Sequence, residues 1–166
     1  MCRGTVLARL HVVGRRLAFQ ALFEAEFGRT TAAAALARET ASRRVAASER
    51  RFAEALIGGV VREQPAVDAT ITDAAPAHPL PTMGVVERVV LRIALYELLF
   101  NNAATPSGRL PEGAVINEAV ELAKTFGSDG SRRLVNGVLG AVSREHLSQP
   151  DAETPETETG NSRDAV

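Results

Sequence analysis

The stretch "MGVVERVVLRIALYELLF", residues 83 to 100, constrains this chain more than any other. As a helix it carries Val85, Val86, Val89, Val90, Leu91, Ile93, Leu95, Leu98, Leu99 and Phe100, which leaves no polar face, so neighbouring elements must enclose it. At about 1.5 to 3 kcal/mol per fully buried large side chain, these positions supply roughly 15 to 30 kcal/mol before chain entropy is subtracted. Its charges, Glu87, Arg88, Arg92 and Glu97, must reach the surface, pair, or face a partner, because unpaired burial costs too much.

The rest of the chain offers helices to do the enclosing. Residues 15 to 27, "RRLAFQALFEAEF", repeat Leu17, Ala18, Ala21, Leu22, Ala25 and Phe27 near a 3.6 period and stop at Gly28. Thr30 or Thr31 can cap "AAAALARET". A third helix is expected from Ser48 as cap, with Phe52, Leu56, Ile57, Val60 and Val61 on one stripe, ending before Pro65. Its Gly58-Gly59 pair suggests close approach of a neighbouring helix. A short segment "AVDATITDAA" and the link "PAHPLP" follow, and "NNAATPSGRLPEG" connects the apolar helix to the next one.

In "GAVINEAVELAKTFGSDGSRRLVNGVLG", residues 113 to 140, Val115, Ile116, Ala119, Val120, Ala123 and Phe126 form one helical stripe. Leu134, Val135, Val138, Leu139 and Val142 form another. Between them Gly127 suits a left-handed C-cap, and Ser128 or Asp129 can cap the second helix. That leaves backbone N–H groups, Arg132 and Arg133 around one helix N-terminus, a corner that attracts anions such as phosphate. Asn117 and Asn136, beside the stripes, are read as hydrogen bonds between helices.

The fold class expected is all-α. With 4% aromatic residues, no Trp and abundant Ala, close-packed helices fit better than a sheet, and 166 residues with 45% hydrophobic content suit one domain. Arginine dominates the amino-terminal third, whereas residues 148 to 166 hold five acids against Arg163 alone. That tail is too polar to order itself and is read as disordered. Without it the chain has 18 basic residues against 15 acidic, a mild bias that permits nucleic-acid binding without requiring it.

Catalytic and metal chemistry find no support. Cys2 is the single cysteine, and His11, His78 and His146 are isolated, so neither a disulfide nor a metal site is expected. There is no Ser/His/Asp set, no P-loop, and "GSDGS" is too short for a dinucleotide site, so no cofactor is expected. No apolar run spans a bilayer, and the start "MCRGTVLARLHVVGRRLAF" is broken by arginines, so the chain is expected in the cytoplasm, away from membranes.

"VERVVLRIALYELL" at 86 to 99 and "VINEAVELAKTFGSDGSRRLVNGVLG" at 115 to 140 closely resemble the NusB transcription antitermination factors, and "RRLAFQALFE" resembles that family's first helix. The resemblance implies a compact all-helical bundle of two packed subdomains, about seven helices, over residues 14 to 147. Residues 1 to 13 form an amino-terminal segment left unassigned, and 148 to 166 the acidic tail. It also implies a non-enzymatic role: binding boxA-type single-stranded RNA together with NusE, a small-subunit ribosomal protein, within the RNA polymerase antitermination complex that supports ribosomal RNA transcription. A homodimer is compatible with it. Carried over, the RNA face comprises Arg15, Arg16, Lys124, Phe126, Ser131, Arg132 and Arg133, and the partner face Phe23 and Glu87.

Two departures from the family pattern imply weaker RNA affinity. "HVVGRR" puts His11, Val12 and Val13 where further basic residues are usual, and Leu134 stands where an aromatic often precedes "VNGVL", removing a base-stacking contact. Arg109, in the lengthened loop, is a candidate to compensate. The alternative is a protein-interaction or dimerisation module with little RNA binding, related to the NusB-like domain of ribosomal-RNA cytosine methyltransferases.

Overall fold

A computed structural model describes residues 3 to 100 and 110 to 147, excluding the side chains of residues 3 to 11 and 147. The expectations for the tail, for Arg109 and for His11 lie outside these residues or side chains.

The described residues form α1 (Arg3–Ala25), α2 (Ala32–Ser42), α3 (Ala47–Ala74), α4 (Val85–Leu99), α5 (Glu112–Phe126) and α6 (Asp129–Val142). A 3-10 turn at Leu80–Thr82 leads into α4, and a π turn at Ser143–Leu147 follows α6. Helices α1, α2 and α3 pack as one group and α4, α5 and α6 as another, with α4 also against α1 and α3. Val89 to Leu98 of α4 are all buried, as a helix without a polar face requires.

The amino-terminal helix is longer than its periodic core, reaching back to Arg3. Gly28, with φ of 71°, turns the chain after it, and Thr31 accepts from the Ala34 N–H to start α2.

The third helix corrects two expectations. Its N-cap is Ala46, which makes no side-chain cap bond, and Ser48 already lies inside the helix. Nor does it end before Pro65: the two expected segments are one helix, so the described residues hold six α-helices, close to the number expected. Ala53, Leu56, Val60, Val67 and Ile71 continue one buried stripe through the proline. Pro65 and Val61, whose carbonyl loses its partner, are both exposed, so water can satisfy the broken rung. Burial of Val67 and Ile71, both fully enclosed, offsets the roughly 3 kcal/mol an interior proline costs.

Of the Gly58-Gly59 pair, only Gly59 answers to close approach, since a Cβ there would collide with the Tyr96 ring of α4. At Gly58 a Cβ would meet nothing within 4 Å. Gly127 is extended (φ −114°, ψ −151°), not left-handed. Glycine is needed there because a Cβ would fall on Ser131 Oγ and the Ala123 carbonyl. Asn117 and Asn136 are exposed rather than bridging helices, so water can serve their amides.

Every charge on α4 is answered. Arg88 Nη2 lies 2.6 Å from Glu26 Oε2, while Arg92 holds Glu26 Oε1 at 2.6 Å and Asp68 Oδ1 at 2.7 Å. This neutral group ties the end of α1 to α3 and α4. Burial disfavours the Arg92 cation, but Asp68 and Glu26 outweigh it and raise its pKa above the usual arginine value.

Candidate nucleic-acid and partner interface

The double arginine of "HVVGRR" divides into an inner and an outer residue. Arg15 points inward: its Nε and Nη2 grip Glu97 at 2.8 Å each, and its side chain is 3% exposed, that of Glu97 2%. Its guanidinium also lies 5.4 Å from the centre of the Phe52 ring. Gly14 permits this packing, because a Cβ there would strike the same ring. Arg15, expected on the RNA face, is thus buried, with its Nε and Nη2 engaged on Glu97.

Arg16 is exposed, and its guanidinium sits 5.3 Å from the centre of the Phe126 ring. Phe126, half-buried at the end of α5, packs in turn on Phe19 of α1, ring centres 4.6 Å apart. A surface cation and an aromatic ring therefore stand together where α1 meets α5. Lys124, on the same last turn of α5, is 65% exposed and only loosely paired with Glu121 at 3.8 Å.

The joint between α5 and α6 is held by a reciprocal cap. Ser128 Oγ accepts from the Ser131 N–H at 3.2 Å, and the Ser128 N–H donates to Ser131 Oγ at 2.9 Å. Ser131 then donates its hydroxyl proton to Glu87 Oε1 at 2.6 Å. Ser131 is buried, so this second expected RNA residue also acts from beneath the surface. Because the cap uses the Ser131 N–H, the attraction for anions rests mainly on Arg132 and Arg133, both exposed, the latter with a long 3.4 Å bond to the Asp129 carbonyl.

Phe23 and Glu87 do not touch the same neighbours. Phe23 packs between Phe19 and Phe27, with ring centres 5.8 and 5.2 Å away, and Phe27 is 59% exposed. Glu87, half-buried in the first turn of α4, faces α6. Gly84 leaves room for it, since a Cβ there would collide with its carboxylate.

Sequence reasoning missed Glu97, Phe52 and Phe19 as supports of the corner. A carboxylate inside a wholly apolar helix does signal a buried partner, but its identity lies 82 residues away. Among the described residues no group of His, Cys, Asp and Glu could hold a metal ion, and no helix is long and apolar enough to cross a membrane.

The NusB family profile matches residues 13–144. The chain is 41% identical over 152 residues to the transcription antitermination protein NusB of Chloroflexus aggregans, covering 92% of this chain and 98% of that one. NusB of T. maritima has the same fold, with a TM-score of 0.69 at 32% identity over 80% of this chain and 89% of that one. A chain in the structure of antitermination factors NusB and NusE in complex with dsRNA shares the fold at a TM-score of 0.73 and 22% identity, covering 83% and 98% respectively.

Proposed function

Since the chain belongs to the NusB family, we propose that it is a transcription antitermination factor that binds boxA-type RNA together with NusE, in the cytoplasm and without catalysis. Its place is the RNA polymerase antitermination complex, in support of ribosomal RNA transcription. The relatives' antitermination role favours this reading over an interaction module with little RNA contact.

The observation that carries the RNA face is the Arg16–Phe126 pair, with Lys124 on the same turn and Arg132 and Arg133 beyond the joint. Phe126 offers a ring for a base and the cations take phosphates, a division typical of single-strand binding. Arg15 and Ser131 support these residues from below. On the partner face, Phe23 with exposed Phe27 supplies an apolar patch suited to NusE, and Glu87 a carboxylate at its border.

Fluorescence anisotropy of labelled boxA RNA, titrated with the protein with and without NusE, tests this. Neutralising four to six phosphates predicts a slope of log affinity against log salt of roughly −3 to −4. Failure to prefer boxA over scrambled RNA in either condition rejects the reading.

A further inference from the structure

A cleft of about 690 Å³ opens between the turn after α3 and the first three turns of α6, lined by Pro76, His78, Gly130, Arg133, Leu134 and Gly137 among others. Gly137 leaves its floor open, since a Cβ there would meet nothing within 4 Å. No carboxylate lines the cleft, while Arg133 stands in its wall and Arg132 beside it. The groove between α2 and α3 differs: its Arg50 is already paired with Glu54 at 3.6 Å.

We propose that this cleft and the adjoining Arg132 and Arg133 are the docking site of the chain's own residues 148–166, whose carboxylates compete there with nucleic acid. Charge and reach both favour this occupant. The segment "SQPDAETPETETGNSRDAV" brings Asp151, Glu153, Glu156, Glu158 and Asp164 against Arg163 alone, with Pro150, Ala152 and Pro155 to meet the apolar floor. Helix α6 and its π turn carry Leu147 roughly 20 Å from Arg133, at about 1.5 Å per residue. An extended strand returns that distance in about seven residues at ~3.3 Å each, so Glu156 and Glu158 lie beyond the length needed. Single exposed ion pairs are weak, but tethering supplies an effective concentration on the order of millimolar, so several together suffice. The competition rests on the RNA reading above; the docking itself does not.

The test uses the full chain with Cys2→Ser and Ser162→Cys, spin-labelled at 162, and reads paramagnetic broadening of backbone amide signals. Docking predicts broadening centred on Gly130 to Leu134 and the 76–78 turn, lost in about 1 M salt and lost when the five acids become Asn or Gln. Broadening that is absent, or spread evenly over the surface, overturns the docking. In parallel, the unlabelled chain with the neutralised tail should bind boxA RNA about 3- to 10-fold more tightly than the natural chain at low salt, with the difference vanishing in high salt. Equal affinities at low salt overturn the competition. If neither form binds RNA, competition and the RNA reading both fall, while the broadening still decides the docking.

Discussion

Ser131 donates a 2.6 Å hydrogen bond to Glu87, joining the first turn of α6 to the first turn of α4 across 44 residues. Two glycines make room for it: a Cβ at Gly84 would strike the Glu87 carboxylate, and one at Gly127 the Ser131 hydroxyl. A residue expected to face RNA and one expected to face a partner thus hold each other.

Ser131→Ala keeps the Ser128 Oγ cap on the residue 131 N–H but removes the hydroxyl that accepts from the Ser128 N–H and donates to Glu87, leaving both without that partner. The expected loss is about 1.5 to 3 kcal/mol, as for hydrogen bonds to charged groups, with weaker RNA binding as the turn before Arg132 and Arg133 loosens. Urea unfolding reads the stability, and an unchanged midpoint would show that the bond is idle.

Arg15 and Arg16 are neighbours with opposite duties, which a salt titration can separate. Glu97→Ala strands a buried guanidinium and should cost about 3 to 5 kcal/mol of stability. Arg16→Ala should leave stability nearly unchanged but flatten the salt dependence of RNA binding by about 0.7, the value of one phosphate on a single strand. If Arg16→Ala leaves the slope intact, its guanidinium does not meet a phosphate.

The adjacent glycines of α3 should respond with opposite signs. Gly58→Ala adds a methyl in open space and raises helix propensity, a gain of up to about 1 kcal/mol. Gly59→Ala drives a methyl into Tyr96 and should cost about 1 to 3 kcal/mol as α3 and α4 are forced apart. Thermal unfolding compares the two, and a stabilised Gly59→Ala would contradict the packing described.

Glu118 of α5 gives a pH-dependent prediction. Burial raises its pKa, opposed by Arg15 and reinforced by Glu97 and Glu121. A carboxyl raised in the fold favours its protonated form there, so its contribution is fully present below the unfolded pKa of about 4.3 and is lost as pH rises through the folded value. Glu118→Gln should therefore raise the Tm at pH 7, with the advantage shrinking toward pH ~4. A Tm difference independent of pH would remove the carboxyl as its source.

Sequence alone determined the helical periods, the burial of Val89 to Leu98 though not of the expected Phe100, which is exposed, and the family match, and it narrowed the caps to Thr30 or Thr31 and to Ser128 or Asp129. Each follows from local spacing or a contiguous motif. It also required that Glu87, Arg88, Arg92 and Glu97 reach the surface, pair or face a partner, since unpaired burial costs too much. Tertiary structure alone decided which partners: Ser131, Glu26, Asp68 and Arg15 come from distant segments that only packing brings together. It also carried α3 through Pro65, because burial of Val67 and Ile71 outweighs a local rule against proline. The same distinction governs the double arginine. Nothing in the local string separates Arg15 from Arg16, but successive residues on a helix point about 100° apart. Packing of α1 against α3, α4 and α5 turned one toward Glu97 and the other toward Phe126 and solvent.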